Sequence, residues 1–120
     1  MLKHVSFLTH HPEAVVEFYA RLGGRPVKDV VSGDGLRRLV VQFEGGGKLQ
    51  FFAVPEPVAP TSSWMEHVAL ELPDLHASIA ELRALGVTFT RDLHLSPGGN
   101  PVAFVADPDG RQVELLQQGL

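Results

Sequence analysis

The sequence predicts an α+β protein built from two copies of a β-α-β-β-β module. Three observations carry this expectation. First, residues recur at an offset of 63: His4 with His67, Val5 with Val68, Ala14 with Ala77, Val16 with Ile79, Leu22 with Leu85 and Gly23 with Gly86. Second, each half places one amphipathic helical stripe after an opening strand and before a group of further strands. Third, Asp107-Pro108-Asp109-Gly110 is a turn that delivers a last strand, with Pro108 presetting φ and Gly110 supplying a positive φ. Toward the chain end the offset becomes 64, as Gly46 with Gly110, Leu49 with Val113, Gln50 with Glu114 and Phe51 with Leu115. One residue inserted in the second half accounts for the slip.

Taken in order, His4 to Leu8 alternates as a strand, with Val5 and Phe7 on one face and His4, Ser6 and Leu8 on the other. Pro12 opens a helix at a position where its missing N–H costs nothing. Ala14, Phe18 and Leu22 recur along that helix, Val15 and Tyr19 widen the stripe, and Gly23-Gly24 ends it. Strands follow at Val27 to Val31, Leu36 to Phe43 and Lys48 to Val54, separated by Ser32-Gly33-Asp34-Gly35 and Glu44-Gly45-Gly46-Gly47. Proline-rich residues 55–63 connect the halves, so the modules run over about 3–54 and 64–117 of a single domain. In the second module His67 to Leu72 is a strand. Asp74 caps a helix with a stripe of Leu75, Ile79, Leu82 and Leu85, and Gly86 stops it. Strands follow at Val87 to Thr90 and Val102 to Ala106, with His94 in the loop between them, where it could border a binding cup though nothing fixes it there. In the final strand Val113 and Leu115 share one face, and Gln112, Glu114 and Leu116 share the other.

Composition narrows the function classes. The chain has 120 residues, 44% apolar and 20% charged, which suits one globular domain. A net charge of −4 argues against nucleic acid as a partner, because no basic stripe is present to neutralise phosphates. The absence of cysteine excludes disulfides, thiolate catalysis and thiolate metal sites. The first residues enter a strand pattern at once, without a signal peptide or an apolar run of membrane-spanning length. A cytoplasmic protein without a membrane partner is expected.

The repeat places polar groups at matching positions. His4 and His67 open the first strand of each half, and Gln50 and Glu114 lie in the last. A pseudo-twofold relation between the halves would bring all four to one centre. Two imidazole nitrogens, an amide oxygen and a carboxylate oxygen suit one divalent ion: zinc, nickel, cobalt, manganese or iron. Taken singly, a strand histidine is more often structural, and Gln50 alone would read as a solvent-facing strand residue. The repeat is what singles the four out. Among the other candidates, His10 and His11 read as a helix-entry loop, and His76 as a helix rim. Lys48 and Arg111 read as exposed strand charges that would also suit an anionic substrate group.

Several stretches together resemble the vicinal oxygen chelate superfamily of glyoxalases, bleomycin-resistance proteins and dioxygenases. They are His4-Val5, Glu17-Phe18-Tyr19 with Leu22-Gly23, Glu66-His67-Val68-Ala69, and Phe104 to Gly110 leading to Val113-Glu114-Leu115. The resemblance covers nearly the whole chain and looks like that of a small single-domain member. It implies a glyoxalase-like fold, in which paired β-α-β-β-β modules form an open cupped sheet with helices outside and a metal in the cup. It places the metal ligands at His4, Gln50, His67 and Glu114, a set similar to that of methylmalonyl-CoA epimerases and some glyoxalase I enzymes. A homodimer is implied by the smaller members. Two positions depart from close relatives. Leu8 stands where bacterial glyoxalase I has a glutathione-binding arginine, and only Asp34 is acidic near the position of the epimerase's second glutamate.

The expected activity is that of a metal-dependent lyase or isomerase. It would act on a small substrate with vicinal oxygens through a metal-stabilised enediolate or enolate, with Glu114 as ligand and general base. A methylmalonyl-CoA epimerase-like isomerase is a narrower version. The contrasting expectation is a non-catalytic module of the bleomycin-resistance type that sequesters a drug or antibiotic, with Trp64, Phe52 and Phe104 lining a cup for a flat ligand.

Overall fold

The computed structural model describes residues 1–59 and 65–120. The chain divides into two compact units, Met1–Ala59 and Pro60–Leu120. Each is an α+β unit of four strands and one helix, in the order expected from the repeat.

The first unit comprises β1 (Val5–Thr9), α1 (Pro12–Arg21), β2 (Arg25–Val31), β3 (Arg37–Gln42) and β4 (Lys48–Ala53). Its sheet has the order β1-β4-β3-β2. The last strand therefore sits beside the first, and the two run parallel, with Ser6 opposite Gln50. Helix α1 covers one face. Its buried stripe is Val15, Phe18, Tyr19 and Leu22, at i, i+3, i+4 and i+7, against Leu39, Val41, Leu49 and Phe51. Ala14, expected on this stripe, is exposed, because it lies a helical step off the line through Val15 and Tyr19. Tyr19 stacks on Phe51 with ring centroids 5.5 Å apart and meets Phe43 edge-on at 6.5 Å. Gly24 lets that packing close, since a Cβ there would lie 2.8 Å from the Tyr19 carbonyl oxygen.

The second unit comprises β5 (Val68–Leu72), α2 (Leu75–Ala84), β6 (Phe89–Leu95), β7 (Pro101–Ala106) and β8 (Gln112–Gln117). The sheet order is β5-β8-β7-β6, again with first and last strands parallel. Asp74 caps α2 by accepting a hydrogen bond from the Ala77 N–H at 3.1 Å. Gln117 on β8 accepts from the Leu75 N–H at 2.9 Å, so strand and helix start are tied together. Leu75, Ile79 and Leu82 are buried against Leu70, Leu72, Ala103, Val105, Val113 and Leu115. Leu85 is 50% exposed and leaves the expected stripe, because it is the residue at which the helix ends.

Strand β6 corrects the expectation for Val87 to Thr90 and shows where the inserted residue lies. The β2–β3 pairing has one register shift, between Pro26 and Lys28. The β6–β7 pairing has two, between Phe89 and Arg91 and between Arg91 and His94. Arg91 still matches Lys28 at the offset of 63, whereas His94 matches Val30 at 64. The extra residue is therefore a second bulge at Asp92-Leu93. The strand runs through it to Leu95, placing His94 in a strand and not in a loop.

Arg111 corrects a further expectation, since it is not an exposed strand charge. Asp107 Oδ1 accepts from the backbone N–H groups of Asp109 and Arg111 at 2.9 and 3.0 Å, and Oδ2 accepts from Arg111 Nη1 at 2.6 Å. The Asp107 side chain is fully buried and that of Arg111 is 10% exposed. Removing the carboxylate takes the nearer acidic partner from a largely buried cation, leaving Asp109 Oδ2 at 3.9 Å, and takes the side-chain acceptor from two turn N–H groups. Asp107→Ala is therefore expected to destabilise the protein by about 3–5 kcal/mol, measured as a lower urea midpoint. A midpoint within error of the parent would show that the turn is not held by this side chain.

Candidate functional site

The face of each sheet turned away from its helix carries the candidate ligands. In the first unit the alternation of β4 puts Leu49 and Phe51 under α1 and turns Gln50 to the other side. His4 is the residue before β1, one position outside the strand it was expected to open, as is His67 before β5. The parallel pairing brings Gln50 Nε2 to 3.5 Å from His4 Nε2 and lets it donate to Ser6 Oγ at 2.7 Å. Gln50 Oε1 accepts from Arg38 Nη1 at 3.0 Å. Gln50 is 6% exposed, so these bonds satisfy an amide largely withdrawn from water.

In the second unit the same logic brings His67 Nε2 to 3.4 Å from Glu114 Oε1, with the side chains 23% and 20% exposed. Glu114 stands opposite Phe104 across the β7–β8 pair. Phe104 is 3% exposed. It receives His67 edge-on at 5.1 Å, stacks with His94 at 6.3 Å, and lies 5.8 Å from the Arg91 guanidinium carbon. His94 and Arg91 thus join this face. The sequence offers His94 as a loop residue able to border the cup, with nothing to fix it there, and does not single out Arg91, because the bulge breaks the period-two pattern that would have shown both.

Each unit therefore gathers one expected pair, His4 with Gln50 and His67 with Glu114. Among the described residues, neither unit assembles three or more His, Asp or Glu side chains into a metal-sized cluster. The pairs themselves suit a divalent ion: two ligand atoms each about 2.1 Å from one ion stand about 3.0–3.4 Å apart. His67 and Glu114 already have that separation and chemistry. His4 and Gln50 have nearly the separation, but Gln50 presents its nitrogen to His4 and its oxygen to Arg38. A half-turn of the amide about its broad terminal torsion would present the oxygen.

Of the remaining candidates among the described residues, Lys48 and Phe52 alternate onto the Gln50 face of β4, and the others fall away from the ligand faces. His10 Nδ1 lies 3.3 Å from the Val54 carbonyl oxygen, and His11 and His76 are exposed. Arg111 is committed to Asp107. Lys48 lies on β4, half-buried. Phe52 is half-buried on the Gln50 face of β4, and Trp64 lies outside the described residues. No helix among the described residues is long and apolar enough to cross a membrane.

Comparison with known proteins places this arrangement. The family model of the Glyoxalase/Bleomycin resistance protein/Dioxygenase superfamily matches residues 1–115, and the chain belongs to that superfamily. It is 41% identical over 54 residues to a lactoylglutathione lyase of Pseudomonas aeruginosa, a match spanning 45% of this chain and 30% of that protein. A lactoylglutathione lyase of Haemophilus influenzae is 38% identical over 52 residues, 42% of this chain and 38% of that one. The chain thus matches about a third of the length of these curated relatives. Among solved structures, SMU.1112c is similar with a TM-score of 0.77 and 26% identity, over 98% of each chain. The bleomycin resistance determinant encoded on transposon Tn5 is similar with a TM-score of 0.71 and 25% identity, over 100% of this chain and 99% of that one.

Phe104 is the platform of the second face. Phe104→Leu keeps most of the buried volume but removes the ring, so the ring-current displacement of the His67 and His94 imidazole protons is expected to vanish in proton NMR spectra. Unchanged imidazole signals in a folded variant would show that the rings do not meet Phe104 in solution.

Proposed function

We propose that this protein is a divalent-metal-dependent enzyme of the glyoxalase type, a lyase or isomerase. It acts on a small substrate with vicinal oxygens and uses His4, Gln50, His67 and Glu114 as ligands. The observation that carries the reading is the paired geometry: His67 and Glu114 stand at a separation one ion can span, and the repeat-matched His4 and Gln50 stand nearly so, with the Gln50 oxygen presented by a half-turn of its amide. The family membership and the partial likeness to lactoylglutathione lyases support it. The ion, when bound, supplies Lewis-acid stabilisation of charge developing on a substrate oxygen.

The chain's own residues divide the remaining work. Glu114 is the one carboxylate of the four, so it is the group that takes the proton from carbon beside a carbonyl. Gln50 cannot titrate and can only ligate or orient. The His67 imidazole, held edge-on by Phe104, fixes the direction from which Glu114 is approached. Phe104 also keeps water from one side of the carboxylate, which favours proton transfer over exchange with solvent. The working assembly in this reading is a homodimer in the cytoplasm with a small-molecule partner.

A second reading has its own support. The Tn5 bleomycin resistance determinant matches over the full length, and half-buried His94, backed by the buried Phe104 ring, offers a flat stacking surface. In that reading the protein sequesters a drug or antibiotic without turning it over.

The deciding experiment is elemental analysis of untagged protein purified without chelators, beside His67→Ala, followed by a turnover screen with α-ketoaldehydes and acyl-CoA esters. Stoichiometric metal in the parent, lost in His67→Ala and after EDTA treatment, is the expected result. Glu114→Gln is then expected to lower turnover by about 10²- to 10⁴-fold while the circular dichroism spectrum is preserved. No metal after reconstitution with zinc, nickel, cobalt, manganese and iron, together with tight binding of an aromatic drug, would move the assignment to the sequestering module.

A further inference from the structure

The two halves differ at one more position on the ligand-bearing face. Arg38 on β3 stands opposite Phe52, two residues along from the Val40–Gln50 pair. The matching position on β7 is Val102, opposite Leu116 and two residues along from the Phe104–Glu114 pair. Val102 is 1% exposed and apolar. The half with the neutral donor, Gln50, thus carries a guanidinium, and the half with the carboxylate carries a valine.

Among the described residues, the charge on Arg38 has no carboxylate within ion-pair distance. Arg21 pairs with Glu17, Arg37 with Glu13 and Asp29, Arg83 with Asp92, and Arg111 with Asp107. Among the described residues Arg38 has a single hydrogen bond, to the neutral amide oxygen of Gln50. A guanidinium has five N–H donors, so most of its capacity is unused. Half-burial makes the uncompensated charge more costly than it would be on an open surface. The half-turn that presents the Gln50 oxygen to His4 would also replace Arg38's acceptor with an NH₂ group. Arg38 would then lose its one partner among the described residues.

We infer that Arg38 is a specificity-determining residue that holds an oxyanion, a carboxylate or a phosphate, on the ligand that this face receives. This deepens the function proposed above and rests on it only for the location of the ligand. The physical reason is complementarity: an oxyanion can take up the free N–H donors and neutralise the charge, which Gln50 cannot do. The valine in the other half follows from the same logic, because an arginine at that position would pair with Glu114 and be unavailable to a ligand.

The test uses the full-length protein, stripped with EDTA and labelled with ¹⁵N. Lactate, its neutral analogue lactamide and inorganic phosphate are titrated separately and followed by the backbone and side-chain signals of Ser6, Arg38 and Gln50. The expected result is saturable displacement of those signals by lactate or phosphate and not by lactamide. Affinity is expected to fall about tenfold or more in Arg38→Met and to recover in part in Arg38→Lys. The stronger of the two anion responses identifies carboxylate or phosphate as the group bound. Anions that leave the parent's signals unmoved, or that bind Arg38→Met as well as the parent, would overturn the inference. So would an equal response to lactamide. Metal content is measured on the same samples. Loss of the anion response in Arg38→Met supports the inference whether or not metal binds. A parent that takes up no metal on reconstitution counts against the metal-dependent function alone.

Discussion

Parallel pairing of the first and last strands of each unit is the constraint on which the rest depends. Consecutive strands in a simple meander would place β1 beside β2 and β4 at the far edge. Here α1 and α2 carry the chain across, so that β4 lies beside β1 and β8 beside β5. Residues 46 positions apart, His4 and Gln50, thereby become neighbours, as do His67 and Glu114 at 47. The same arrangement places each helix on one face and leaves the other for side chains with chemistry. The aromatic contact of Tyr19 on Phe51 and the tie from Gln117 to Leu75 hold helix to strand in the respective units.

The repeat supplies the frame, and the differences between its copies supply direction. Two identical faces would offer the same chemistry twice. Instead Gln50 answers Glu114, Arg38 answers Val102, and Val30 answers His94. One face is a neutral amide beside a cation. The other is a carboxylate beside an imidazole and an aromatic ring. Under the proposed function, proton abstraction would fall to the second face, and the anion-holding role inferred for Arg38 would fall to the first.

Much of this was legible in the sequence because its physics is local. The helical stripes, Pro12, the Asp74 cap, Gly23 and Gly86 as helix stops and the inward alternation of Val113 and Leu115 all follow from short-range periodicity and turn chemistry. The inserted residue was legible as a slip from 63 to 64, but its location was not, since a bulge such as Asp92-Leu93 has no fixed signature. Without that location His94 read as a loop residue with nothing to fix it at the cup. Arg38 was invisible for another reason: its meaning lies in the lack of a carboxylate partner among the described residues, and that depends on the register of β3 against β4. Arg111 was misread in the opposite sense. Its neighbours in sequence include two aspartates, but only the turn geometry shows Asp107 closing on it from inside the protein.

That turn connects stability to the candidate chemistry through register. Strands β7 and β8 are antiparallel, with Phe104 opposite Glu114 and Ala103 opposite Leu115. Side chains in a strand alternate between faces, so a shift of one residue in β8 would carry Glu114 toward α2 and bring Val113 or Leu115 to the ligand face. The apolar core resists this, because Val113 and Leu115 are fully buried where they are. The Asp107 carboxylate adds a second resistance at the point where β8 begins, by fixing the N–H groups of Asp109 and Arg111 in one turn geometry. A buried ion pair is an expensive way to stabilise a fold. It is better explained as a register pin: the carboxylate at 107 holds the turn in the one form that leaves the carboxylate at 114 facing His67.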